Sequence, residues 1–118
     1  MLRGDPIHGE RIVDGDASTL TALSIFDDGE TDTRTLADDE AIYVTDVMIT
    51  SESGGDIFLV ADAAAAGKYI FAGNLDAKDT VVMSFSSPYR CPLGVVPKFA
   101  GGGSDKNSCI IQGFIVKS

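Results

Sequence analysis

Few residues in this sequence are of types and spacings that could do chemistry. The sole histidine, His8, lies in a polar stretch with no fixed neighbour in sequence to tune it as a general base. Serines are frequent, but none occupies a Gly-x-Ser-x-Gly turn, and a Ser-His-Asp set would have to recruit this one imidazole. Gly101-Gly102-Gly103-Ser104 lacks the Lys-Ser/Thr ending of a phosphate loop and reads as a linker. Cys91 and Cys109 are too far apart for a Cys-x-x-Cys pair and have no nearby histidine, which argues against zinc. Two separate buried thiols are expected.

Carboxylates are the one abundant reactive type. Asp14 with Asp16, Asp27 with Asp28 and Glu30, and Asp38 with Asp39 and Glu40 cluster as calcium ligands often do. None follows EF-hand spacing, and Asp favours turns for its local hydrogen bonding, so solvated turns are expected and no cofactor is assigned. An acid–base pair of glycosidase type would need a cleft that a 118-residue sandwich has little room to form. Arg3-Gly4-Asp5 matches a receptor-binding tripeptide, a short match that arises often by chance. No catalytic machinery is recognisable, and the chain reads as a structural or binding module.

The elements that must carry these residues are strands. Ile and Val together number 19 against 7 Leu, with 8 Thr, a balance that suits pleated surfaces better than helices. Thirteen Gly and four Pro punctuate short apolar runs. Strands are expected over 19–26, 33–36, 41–50, 56–62, 69–72, 80–86, 95–100 and 108–117. Residues 63–67 are too few for a stable helix, Gly73-Asn74 is a break, and 87–94, with Pro88 and Pro92, is a long loop. Eight short strands without intervening helices predict an all-β, eight-stranded antiparallel sandwich, with the jelly roll the commonest arrangement. Residues 1–18 show neither strand nor helix periodicity and read as an extended N-terminal arm ahead of a β-sandwich domain over 19–118.

The formal charge is −9, and residues 1–40 hold 11 acidic and 3 basic residues against 7 and 6 in the remainder. An acidic chain without a Lys/Arg cluster repels phosphate backbones and anionic lipid, so neither nucleic acid nor membrane is expected as a partner. No apolar run approaches the ~20 residues of a membrane span, and the first residues lack the apolar core of a signal peptide, so synthesis in a cytoplasm is expected. Several strands carry apolar residues on both faces. In the run from Ala41, Ile42, Val44 and Met48 oppose Tyr43, Val47 and Ile49, and Ile110, Phe114 and Val116 oppose Ile111 and Ile115. A partner subunit would cover such faces, and strands that bend between two sheets would keep them internal.

The order of segments Glu40-Ala41-Ile42-Tyr43-Val44-Thr45-Asp46-Val47, Ile70-Phe71-Ala72-Gly73-Asn74-Leu75 and Phe85-Ser86-Ser87-Pro88-Tyr89-Arg90-Cys91-Pro92-Leu93-Gly94 resembles small jelly-roll decoration proteins of tailed phages, over about residues 20–117. The resemblance implies a cement protein of the virion's outer capsid surface, typically a homotrimer, that stabilises the shell where major capsid proteins meet. On that reading the arm residues Arg3, Ile7, Arg11, Ile12 and Val13 would fold onto the capsid, and Tyr43, Val47, Ile49, Tyr89 and Arg90 would serve the subunit interface. The alternative from another class is a small-ligand module, for example one binding carbohydrate on Tyr43, Tyr69 or Tyr89.

Overall fold

Short β-branched segments separated by Gly, Pro and Asp fold into strands throughout. The computed structural model describes residues 4–14, 20–61, 69–102 and 106–118. Its strands are β1 (Asp5–Asp14), β2 (Thr21–Ala22), β3 (Ser24–Asp27), β4 (Glu40–Ser51), β5 (Gly55–Val60), β6 (Tyr69–Leu75), β7 (Thr80–Arg90), β8 (Lys98–Gly101) and β9 (Lys106–Lys117). No helix occurs among the described residues. Two antiparallel sheets pack as a sandwich, one of five strands in the order β3-β1-β9-β4-β7 and one of four in the order β2-β8-β5-β6. The pairing is nested along the chain: β1 pairs with β9, β2 with β8, β4 with β7, and the mid-chain neighbours β5 and β6 with each other.

The core lies between the sheets. Ile7, Ile42, Val44, Val47, Ile49, Ile111 and Ile115 enter it from the larger sheet, and Ile57, Leu59 and Phe99 from the smaller. Strand β4 feeds this core in two phases. Ile42 and Val44 point inward, then Val47, Ile49 and Ser51 do. The change falls at a register shift between Val44 and Asp46, where Thr45 is an extra residue against β9, while on the other side residues 85–88 of β7 lie against Thr45 alone. Gly113 of β9 lies against this bulge, and a Cβ there would sit 2.0 Å from the Tyr43 carbonyl oxygen, so no side chain fits without moving β4.

Several expectations are corrected. Residues Asp5–Asp14 are not an arm; they form β1, hydrogen-bonded to β9 along its whole length and to β3 on its other side, so they belong to the same sandwich as the rest of the chain. Pro6, His8, Glu10 and Ile12 alternate with Ile7, Gly9, Arg11 and Val13, but a glycine and an arginine on the inner side mask the period. Gly9 leaves room for Ile25, whose Cδ1 would lie 2.8 Å from a Cβ at this position. The expected strand over 19–26 divides at Leu23, whose N–H donates to the Pro97 carbonyl, so β2 joins the small sheet and β3 the large one. Nine strands result among the described residues. The expected strand over 33–36 is reduced to one bridge, Phe26 with Thr33. Strand β6 continues through Gly73-Asn74, where Asn74 Nδ2 donates to Asp56 Oδ1 across the pair. Strand β7 continues through Pro88 to Arg90, a proline that the sheet tolerates because β7 is an edge. The helical turn expected over 63–67 lies outside the described residues.

Candidate interaction face

The outer face of the five-stranded sheet is built by register. Met48 lies between buried Val47 and Ile49, so it points outward, where it is 41% exposed. It sits opposite Val82 of β7 and Ile110 of β9, and Ile110 is opposite Glu10 of β1. Val82 is 68% exposed, and Ile12, in the adjoining row with Ser108, Thr50 and Thr80, is 64% exposed. Ile12, Ile110, Met48 and Val82 therefore form an aliphatic half across four strands. A shallow depression of about 480 Å³ opens beside Glu10, Ile12, Phe26 and Ile110, and another of about 250 Å³ lies among Asp46, Met48, Val82, Ile110 and Gln112.

The other half is aromatic. Tyr43 stacks on Phe114 with ring centroids 5.2 Å apart, and Arg90 Nε donates to Tyr43 Oη at 3.1 Å. His8 stacks on Phe26 at 5.0 Å. Between the halves runs a polar row, His8, Gln112, Asp46 and Ser84. Asp46 accepts hydrogen bonds from Ser84 Oγ at 2.7 Å and Thr45 Oγ1 at 2.8 Å, and these donors, Ser84 first, hold its carboxyl below the ordinary aspartate range. Among described side chains, Glu10, Asp46, Arg90 and Lys106 stand at outward positions of this face, and Glu52 and Lys78 line a depression beside Ile12 and Thr50.

Three carboxylates of the acidic N-terminal third gather on one arginine. Arg34 lies among three carboxylates from three strands: its Nη1 bonds Asp5 Oδ2 at 3.0 Å and Asp27 Oδ1 at 2.6 Å, and its Nη2 bonds Glu40 Oε2. Glu40 Oε1 also accepts from the Ala37 N–H. The hydrogen bond with Asp27 is the largest of the influences that raise the Arg34 pKa. Among the described residues no three His, Cys, Asp or Glu side chains converge as a metal site would require. The Asp5 carboxylate of the receptor-like tripeptide is held by Arg34, while Arg3 lies outside the described residues. Cys91 and Cys109 are free and buried, and burial pushes each thiol up to about 12.

The residues assigned from sequence to two surfaces are redistributed. Ile7 is buried in the core, Val13 packs against it, and Arg11 is half-buried, donating to the Ala22 carbonyl and Ser24 Oγ, so of the described arm residues only Ile12 offers an exposed apolar side chain. Val47 and Ile49, expected at a subunit interface, are 1% and 0% exposed and belong to the inter-sheet core; the Thr45 bulge turned them inward. Tyr89 is half-buried against that core, and burial raises its phenol above the ordinary tyrosine value. Tyr43 and Arg90 do share the outer face. Met48, Val82 and Ile110 were missing from the assigned set. A sequence reading that allowed one phase change in β4 would have put Met48 outside and Val47 within.

No family model matches this chain, and neither a curated relative nor a solved structure matches it.

Proposed function

We propose that this protein is a non-enzymatic assembly module, and specifically a decoration protein of a tailed-phage capsid, as the segment resemblance implies. The observation that carries the assembly reading is the aliphatic half of the outer sheet face. An antiparallel sheet with one face on the core ordinarily keeps the other polar, whereas here Ile12, Met48 and Val82 stand exposed around Ile110. The nested pairing of strands from opposite chain ends is what a long hairpin gives when it rolls up, and it supports reading the sandwich as a jelly roll. The depressions on the face are shallow and the one imidazole is stacked on Phe26, which favours contact over catalysis.

Docking to a shell through a free arm is not part of this proposal, because β1 is pinned between β3 and β9. The contact is instead between preformed surfaces, with little ordering cost on binding. Co-sedimentation of the purified chain with undecorated phage shells tests the reading. Saturable binding at a fixed number of copies per capsomer is the expected result, and no binding above that of an unrelated acidic β-sandwich would overturn it.

A further inference from the structure

We infer that the free edge of the four-stranded sheet, strand β6, takes up an extended segment of a partner protein as an added strand. The inference goes beyond the decoration reading, which assigns nothing to this edge. An edge strand presents a row of backbone N–H and C=O groups, and an extended chain is the occupant that pairs with the whole row. The other three edges are closed to such pairing. Strand β2 has two residues. At β3, Thr33 bridges Phe26 and the Arg34 N–H donates to the Ile25 carbonyl. At β7, residues 85–88 bow out against Thr45 alone, and Pro88 is among them. Strand β6 has none of these devices. It runs for seven residues without a proline or a charged side chain. Its one irregularity lies at its start, beside Ile70, and residues 71–75 pair with β5 without interruption. Among the described residues, no hydrogen bond outside the β5 ladder reaches its backbone.

The side chains beside this edge set what the added strand must carry. The sandwich is closed on the side of β2 and β3, where the inner residues Leu23 and Ile25 are buried. On the side of β6 and β7, Phe71, Val81, Met83 and Phe85 pack against the core and remain half-buried. The ring of Phe71 lies across Gly73, 3.1 Å from where a Cβ would stand, and floors the inner side of the edge. One more strand on β6 gives the smaller sheet five strands, as the larger has, and lays its inward side chains over this seam. Apolar residues at alternate positions are therefore selected, with polar ones between them, beside exposed Ala72 and Asn74. Around the Leu75 end the described charges are Glu52, Asp56, Asp76 and Asp79 against Lys78 and Lys106. That excess favours a basic residue at the same end of the segment and disfavours a second copy, itself at −9.

Two labelled, end-capped synthetic peptides test this against the full chain by fluorescence anisotropy. One alternates valine with threonine and ends in lysine; the other is the same with a central proline. The expected result is saturable binding of the first, with a dissociation constant at least about tenfold higher for the proline peptide. The same rise is expected for the first peptide on Phe71→Lys, which aims a charge into the seam, and no change on Leu93→Asp, an exposed site elsewhere. Amide hydrogen exchange of the wild type locates the contact whether or not Phe71→Lys folds: the amides of β6 should slow when peptide is bound. Equal binding of the two peptides, protection confined to other strands, or β6 amides that slow with rising chain concentration in the absence of peptide would each overturn the inference, the last by showing a second copy on the edge. Shell co-sedimentation is scored separately. A chain that decorates shells and binds neither peptide refutes the strand addition and leaves the decoration reading standing, and a chain that binds the peptide at β6 and ignores shells does the reverse.

Discussion

Replacing Arg34 with methionine removes the charge and its hydrogen bonds while keeping most of the apolar stem. The three ion pairs it breaks are unequal. Asp5 is 69% exposed, and its pair, screened by water, contributes about 0–1 kcal/mol. Asp27, at 43%, is discounted for the same reason. Glu40 is only 13% exposed beside an arginine at 19%, so the variant leaves a largely desolvated carboxylate close to two others. Leaving one partner of a fully buried pair unmatched costs about 3–5 kcal/mol, and this site is partly wet, so a loss of about 2–3 kcal/mol is expected. Urea unfolding followed by fluorescence or circular dichroism measures it directly. Double-mutant cycles then apportion it, with Arg34/Glu40 coupling of about 1–2 kcal/mol and Arg34/Asp5 coupling below about 0.5 kcal/mol. Because the folded-state pKa of Arg34 is raised, its contribution is complete below the ordinary arginine value and would be lost only above it, so the guanidinium itself adds no pH dependence near neutrality. A variant within about 0.5 kcal/mol of wild type, or equal coupling to Asp5 and Glu40, would refute the view that this cluster fastens the ends of β1, β3 and β4.

Two further perturbations test the core. Both thiols are pushed up to about 12 by burial from an ordinary value of 9.0, so the folded state keeps protons that the unfolded chain gives up. Their contribution is present below pH 9 and is lost as pH climbs toward 12: the urea midpoint should fall across that window, and fall less in the Cys91→Ala/Cys109→Ala double variant. Rapid labelling of either cysteine by a thiol reagent in the native protein would contradict the burial on which this rests. Gly113→Ala places a Cβ against the Tyr43 carbonyl and should cost about 2–3 kcal/mol in urea unfolding. Gly29→Ala, strained only by its positive φ and otherwise in open space, should cost about 1 kcal/mol, and equal losses at the two sites would show that the close approach at the bulge carries no penalty.

The all-β sandwich was legible because its longest strands carry plain signals. Val81, Met83 and Phe85 alternate with Val82, Ser84 and Ser86, and the apolar runs of β4 and β9 are bounded by turn residues. What escaped the sequence was set by tertiary contact. The strand β1 hides because its inner positions include Gly9, emptied by Ile25 and Ile111, and Arg11, whose charge is spent on the Ala22 carbonyl and Ser24. The division of 19–26 between two sheets depends on Pro97, more than seventy positions away. The Arg34 cluster draws acids from positions 5, 27 and 40, a convergence that no local spacing encodes.

The apolar residues on both faces of β4 and β9 have two physical sources. In β4, half of the apparent second face is an artefact of uninterrupted alternation: once Thr45 is set aside as a bulge, Ile42 and Val44 before it and Val47 and Ile49 after it all enter one core. Met48 is the residue that the bulge leaves outside. Strand β9 has no such shift, since Asn107, Cys109, Ile111 and Ile115 are all buried, and so Ile110 and Phe114 are outward-facing apolar side chains in their own right. The pairing of β4 with β9 and β7 then brings Met48 beside Ile110 and Val82, and Tyr43 beside Phe114. A bulge that corrects the inner face of one strand thereby sets the composition of the outer face of the whole sheet. Deleting Thr45 would leave Ile42, Val44, Val47 and Ile49 on one face under simple alternation, so urea unfolding should stay cooperative; loss of cooperativity in the deletion variant would refute the assignment of Thr45 as the surplus residue.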